Sequence, residues 1–251
     1  MTKTRFDIIG KSYEASVQKF PEARTDDIWL IKNLKVKPND KILEFTAGTG
    51  YLTVRLAELI PKGELVAQDI SPIMLSFNKK KCRKFKNVSF YLEKKENYPR
   101  LKNNYFDKAV CLGGFHHIED QVSVVKTVYN KLKKGGILCV GDFADESPVQ
   151  EYFDESINVL TSTGHKGLFL SVSRMINIGR WAGFRKIDAI KTKVPFWFKN
   201  EDEIGDFYQL VHGLDQKPKE TLKDIRRYMG VKRKGNRLFV PMDYVYARYV
   251  K

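Results

Sequence analysis

Cysteine is scarce: Cys82, Cys111 and Cys139 are the only three in 251 residues, odd in number and without a CxxC pair. That excludes a disulfide scaffold and a paired-cysteine zinc framework, and it points to reduced thiols and a cytoplasmic protein. Long apolar runs are missing as well. None approaches the roughly 20 residues a bilayer span requires, and the N-terminus, MTKTRFDIIGKSYEA, carries charges every few residues. Neither a membrane span nor a secretory leader is expected. No segment repeats at a fixed period, which removes solenoid architectures. Acidic residues are the scarcer charge, 30 against 45 Lys and Arg, leaving a formal +15. Such a balance favours contact with an anionic partner without defining one. The apolar content of 42% and aromatic content of 12% suffice for a full core in one domain plus an elaboration.

Short apolar runs alternate with helix-length segments. Lys41–Thr46, Glu64–Ile70, Val88–Leu92, Phe106–Leu112 and Ile137–Phe143 read as strands, while Tyr51–Leu59 and Gln121–Leu132 set their apolar residues along one helical side. This alternation predicts an α/β fold with a mostly parallel sheet between two helical layers. After Phe143 the rhythm changes. Ser147–Leu160 and Ser171–Ala182 predict two successive helices, Phe184–Lys191 a strand, residues 200–213 and Lys219–Met229 two more helices, and Arg237–Val250 a closing strand. The expected organisation is N-terminal helices over residues 1–36 and a sheet domain over 37–251. Helical cap insertions at about 147–182 and 195–236 would lie above the C-terminal sheet edge, where ligands of open α/β sheets bind.

Chemistry concentrates in Ile42-Leu43-Glu44-Phe45-Thr46-Ala47-Gly48-Thr49-Gly50-Tyr51-Leu52, a strand, a glycine-containing turn and a helix start. Gly48 and Gly50 remove side chains where backbone must approach a ligand, and the helix N-terminus offers free N–H groups. Glu44 places a carboxylate beside the turn, and Asp69 ends the next strand, where an acid can accept both hydroxyls of a ribose. A dinucleotide site would want a third glycine three residues after Gly50, but that position is Thr53.

The pattern instead resembles motif I of class I S-adenosylmethionine-dependent methyltransferases. It is followed in order by the second-strand acid in Val66-Ala67-Gln68-Asp69-Ile70, the HHxxD-type loop Phe115-His116-His117-Ile118-Glu119-Asp120, and the turn Leu132-Lys133-Lys134-Gly135-Gly136-Ile137 before the fifth strand. The resemblance covers about residues 38–145. It implies a Rossmann-like seven-stranded sheet with the last strand antiparallel, S-adenosylmethionine as cofactor and S-adenosylhomocysteine as product. It further assigns Glu44 to the methionine amino group, Gly48 and Gly50 to the turn beneath the methionyl part, and Asp69 to the ribose. Ile70 and Met74 would flank adenine, with Leu112 or Gly113 offering a backbone carbonyl to the amino group. Tyr13 resembles an N-terminal tyrosine that closes over the cofactor. Thr46-Ala47 stands where relatives commonly carry glycine and a small residue, and Glu93 or Lys94 falls where relatives often place an acid near adenine.

Methyl transfer from a sulfonium leaves the protein mainly to align and desolvate the acceptor. A hydroxyl, phenol or acidic carbon gains from a base poised near neutral pH, and His116 and His117, two of only four histidines, are the candidates. His165 and His212 belong to the insertions, where substrate contact is one reading and partly exposed helix-end residues the preferred one. No ligand spacing among the carboxylates and histidines stands out, so no metal is expected. Aromatics crowd the insertions and suit a small apolar or aromatic acceptor. The basic runs Lys79–Lys86 and 217–237 read first as solvated faces. The function expected is transfer of a methyl group to an O, N or C atom of a small, metabolite-like acceptor, by a monomer or homodimer. An RNA-modifying methyltransferase using the basic runs is the second reading, and a non-methylating cyclase or regulatory protein that binds S-adenosylmethionine is the third.

Overall fold

Thr4 starts the first helix through a capping box: its hydroxyl accepts the Asp7 N–H while the Asp7 carboxylate accepts the Thr4 N–H. The computed structural model describes residues 4–93 and 98–251. After α1 (Arg5–Lys19) and α2 (Asp27–Leu34) come β1 (Lys41–Phe45), α3 (Tyr51–Leu59), β2 (Glu64–Asp69), α4 (Pro72–Cys82), β3 (Val88–Leu92), β4 (Phe106–Leu112), α5 (Gln121–Lys131) and β5 (Leu132–Phe143). The strands are nearly continuous apolar runs because both faces are covered. Ile42 and Val110 face a core shared with Leu30 of α2 and Leu56 of α3, whereas Leu43 and Ala109 face a second core with Val124 and Val128 of α5. Among the described residues, no helix is long and apolar enough to cross a membrane.

The chain continues through α6 (Pro148–Tyr152), a π-helical stretch (Phe153–Ile157), α7 (Asn158–Leu160), α8 (Val172–Ala182), β6 (Lys186–Phe198), α9 (Glu201–His212), α10 (Pro218–Tyr228), β7 (Lys232–Lys234) and β8 (Arg237–Val250). The sheet order is β3-β2-β1-β4-β5-β8-β6, and β8 runs antiparallel to both β5 and β6. The parallel sheet with one reversed strand therefore stands, but it has eight strands rather than seven. The extra strand, β7, forms a hairpin with β8 around Gly235, which adopts a left-handed φ of 58°. Lys232, Arg233 and Lys234 are all exposed, so no apolar alternation announces this strand.

The insertions are also smaller than expected. Residues 195–198 belong to β6, which runs seven residues past Lys191, and Pro195 faces Pro241 across the ladder, so their missing N–H donors coincide at one level. Helix α8 is not part of a cap. Its Met175, Ile178 and Ala182 sit in the same core as Val124 and Val125 of α5, because a sheet widened by β8 and β6 needs another helix to cover that face. What remains above the C-terminal sheet edge is α1, the α6–α7 segment, α9 and α10; α1 packs on α9, and α10 on α9 and α6.

Close packing of α8 on the sheet is testable at Gly179. A Cβ there would lie 2.4 Å from Cε1 of Tyr249, whose side chain is fully buried. Gly179→Val should lower stability to urea by about 1–3 kcal/mol, an overpacking effect that an unchanged unfolding midpoint would contradict.

Candidate active site

The β1–α3 turn is built from backbone in the left-handed region: Thr46 has φ 56°, Gly48 55° and Gly50 93°. Asp69 fixes it, since its carboxylate accepts the Gly48 N–H at 2.8 Å through Oδ2 and the Ser71 N–H at 2.9 Å through Oδ1. Burial raises the Asp69 pKa, and the N–H groups of Ser71, Gly48 and Ile70 oppose that rise. Gly50 serves the packing beneath the turn rather than the cavity surface, because a Cβ would come within 2.5 Å of Asn78 Oδ1. Thr46, the departure from the family pattern, is accommodated elsewhere. Its hydroxyl donates to the Phe45 carbonyl and lies 2.9 Å from Cys111 Sγ, and a Cβ on Gly114 would meet it at 2.7 Å. The absence of a side chain at 114 is what makes room for the threonine.

A cavity of about 210 Å³ opens over this turn. Tyr13, Glu44, Thr46, Ala47, Gly48, Asp69, Ile70, Met74, Glu93, Leu112, Gly113 and His117 all line it, so the strand ends gather nearly every position read from the sequence. Lys94 lies outside the described residues. Glu44 is buried with no hydrogen-bond partner for Oε2. Burial pushes its pKa up to about 8, the Thr53 hydroxyl opposing and the nearby Asp69 adding to the rise. A buried carboxylate left half-satisfied is a receptor for a cation. At the rim, Arg24 donates to the Tyr13 hydroxyl at 2.7 Å, pairs with Asp26 at 2.6 Å and lies 4.3 Å from the Tyr51 ring centre.

A second cavity of about 90 Å³ adjoins the first, and Phe6, Tyr13, Arg24, Gly113 and His117 line both. All four histidines of the chain line it. His116 is held on two sides by Asp142: its backbone N–H donates to Oδ2 at 2.9 Å, and its Nδ1 lies 2.7 Å from Oδ1. With the proton on Nδ1, the lone pair sits on Nε2, which lies 3.3 Å from Nε2 of His165. The His117 ring is hydrogen-bonded to the backbone of Lys166, and its pKa lies well below the usual imidazole range, chiefly through burial. His212, the last residue of α9 and partly exposed, stands as the sequence predicts, whereas His165 does not. His165 is buried in the loop after α7, and burial lowers His165 to about 2 and His212 to about 3. Phe143, Phe153, Phe196, Phe207, Tyr208 and Tyr244 supply the walls. Arg5 adds a guanidinium whose one hydrogen bond among the described residues is a 3.4 Å contact to Thr161; burial lowers it to about 10.

Arg24, Tyr51, Arg5 and Asp142 escaped the sequence reading as site groups, and His165 and His212 entered it only as a secondary substrate contact. Tyr51, the first residue after Gly50, carried the one available signal, since it begins the helix whose N-terminus faces the cavity. The others reach the site through long-range contacts that local spacing does not encode.

A family model described as a methyltransferase domain matches residues 36–180. The chain is 31% identical over 160 residues to the ubiquinone/menaquinone biosynthesis C-methyltransferase UbiE of Wigglesworthia glossinidia brevipalpis, covering 60% of this chain and 59% of that protein. It is 30% identical over 149 residues to the malonyl-[acyl-carrier protein] O-methyltransferase of Bacillus anthracis, covering 59% of this chain and 54% of the relative. It thus spans somewhat more than half the length of these curated relatives. A solved Thermotoga maritima structure, titled a SAM-dependent methyltransferase and possible histamine N-methyltransferase, superposes with a TM-score of 0.63 over 98% of each chain at 19% identity. At that identity the likeness is one of fold.

Glu44 gives this geometry a measurable signature. Burial holds its folded pKa at about 8, above the usual glutamate value of 4.5, so stability gained through its protonated form is complete below about 4.5 and is lost as pH rises through about 8. Glu44→Gln should remove that loss: in urea unfolding of the ligand-free protein, the variant should gain on the wild type between pH 5 and pH 8. A parallel pH dependence of the two proteins would refute the assignment.

Proposed function

Because the chain belongs to the class I S-adenosylmethionine-dependent methyltransferases, whose cofactor is S-adenosylmethionine, we propose that it methylates an O, N or C atom of a small acceptor seated in the second cavity. The observation that carries this reading is the junction of the two cavities at Gly113 and His117, which sets a cofactor-sized space directly against an aromatic and imidazole-lined one. In the first cavity, the unpartnered Glu44 oxygen suits an ammonium group, and Asp69 retains lone pairs for ribose hydroxyls beyond its two backbone N–H bonds. Ile70, Met74, Glu93, Leu112 and Gly113 line the same space, which supports a reading in which the first two flank adenine, Glu93 meets its edge, and Leu112 and Gly113 offer backbone to the methionyl part. Tyr13, held by Arg24, closes the cofactor's open side. The cofactor, when bound, supplies a methyl group on a sulfonium and leaves as S-adenosylhomocysteine.

The chain's own contribution is alignment and proton handling. Aromatic walls fix the acceptor and exclude water, and orientation of this kind is worth effective molarities on the order of 10⁵–10⁸ M. His116, locked by Asp142 and lining this cavity, accepts the acceptor's proton where one must be lost, and His117 borders both spaces. The small volume of the second cavity, about 90 Å³, favours a small molecule over a nucleotide within RNA. The basic runs are also partly engaged within the protein: Lys81 pairs with Glu14, Lys84 with Glu58 and Arg226 with Glu201.

Methyl-labelled S-adenosylmethionine incubated with the protein and a cell extract should place label in the low-mass filtrate; label in an RNase-sensitive retained fraction would overturn the small-acceptor reading. Once a product is in hand, His116→Ala should cut turnover by about 10²–10⁴-fold with cofactor affinity nearly unchanged. Asp69→Asn should do the reverse, weakening cofactor binding measured by calorimetry. Wild-type behaviour in either variant would remove the corresponding role.

A further inference from the structure

We propose that His116, His117 and His165 form a binding site for one divalent transition-metal ion of the zinc class, with an open coordination position facing the second cavity. Among the described residues these three side chains bring one ligand nitrogen each to within 4.8 Å of one another. Their sequence separation hides the cluster: two come from the short helical turn after β4, the third from the loop after α7.

Distance supports the assignment first. Two nitrogens bound to one tetrahedral zinc at about 2.0–2.1 Å each stand roughly 3.3–3.4 Å apart, and Nε2 of His116 and Nε2 of His165 are 3.3 Å apart. One edge of the tetrahedron is therefore already in place, and a modest movement of the half-buried His117 completes a face. Orientation supports it second. Metal-bound imidazoles almost always give their other ring N–H to a carboxylate or backbone carbonyl, which fixes the tautomer. His116 stands in that relation to Asp142 at 2.7 Å, and His117 to the backbone of Lys166. Without an ion, one Nε2 must carry the proton that bridges His116 and His165; an ion would take that proton's place.

Ligand chemistry selects the class of metal. Three neutral imidazoles suit zinc, copper, nickel or iron and not magnesium or calcium, which want oxygen donors. Phe169 stacks on the His116 ring at 5.6 Å and Phe153 meets His165 at 4.5 Å between centres, so the ligands are preformed in apolar surroundings. The Asp142 carboxylate behind His116 supplies countercharge, while Arg5 lines the same cavity where an anionic ligand could occupy the fourth position. Seating the ion uses the Nε2 lone pair of His116. Ion and imidazole base are thus alternatives within one molecule, and metal binding does not depend on the methyl-transfer reading.

The test is titration of the metal-stripped full chain with Co²⁺ without cofactor, read by visible d–d absorption. A band saturating at one equivalent and displaced by Zn²⁺ is expected. His165→Gln and His117→Gln should each weaken cobalt binding about tenfold or more, and Asp142→Asn by about 10–100-fold, with unchanged circular dichroism. No saturable band, a band indifferent to both histidine substitutions, or thiolate charge-transfer absorption placing the ion on a cysteine would overturn the site. Because no methyl donor is present, this experiment and the labelled-methyl experiment can fail independently.

Discussion

A carboxylate cannot be buried at the end of a parallel strand without a partner, and among the described residues three stand buried at such ends: Glu44 on β1, Asp69 on β2 and Asp142 on β5. Each solves the constraint differently, and the solutions lay out the site. Asp69 spends its oxygens on backbone N–H groups and thereby clamps the turn after β1 to the turn after β2. Asp142 takes both the backbone and the ring of His116, so it fixes a loop and an imidazole tautomer together. Glu44 is left with an oxygen unmatched beside the first cavity, which it lines. A clamped turn, an oriented imidazole and an unmatched oxygen are three outcomes of one electrostatic problem.

The additions to the sheet extend this logic to the second cavity. β8 reverses direction beside β5, so its early residues Met242 and Tyr244 arrive at the same edge as the ends of the parallel strands and line the second cavity. β6 brings Phe196 there, and α9 brings Phe207, Tyr208 and His212. Tyr244 also donates to Asp26, whose other bonds hold Arg24, so the wall of the second cavity and the rim of the first are hydrogen-bonded into one piece.

The cofactor half of the site was legible because its signals are local. A strand, a left-handed glycine turn and a helix start occupy eleven consecutive residues, and the acid at Asp69 falls where the next strand must end. The acceptor half was not. His165 sits 48 residues from His117 on a segment with no periodicity, and only packing under Phe153 and Phe169 reveals that it is buried. Helix α8 looked like an insertion because its stripe, Met175, Ile178 and Ala182, reads the same whether it faces a cap or a sheet. The β7 hairpin was hidden for the opposite reason: a fully exposed basic strand shows no hydrophobic alternation at all. Thr46 departed from the family pattern only when viewed alone, since the space it needs is provided at Gly114, 68 residues later.

Helix α1 roofs both cavities with its inner face, through Phe6 and Tyr13, yet polar ties on its outer flank hold it down: Glu14 to Lys81 at 2.6 Å and Asp7 to Ser71 at 2.6 Å. Both ties reach α4 or its cap, the element that follows the ribose-side acid. One consequence is mechanical: because the two chambers share Phe6 and Tyr13 in their lining, any displacement of α1 reshapes both at once. The Glu14–Lys81 tie is largely buried, so added salt weakens it far less than it weakens a surface pair.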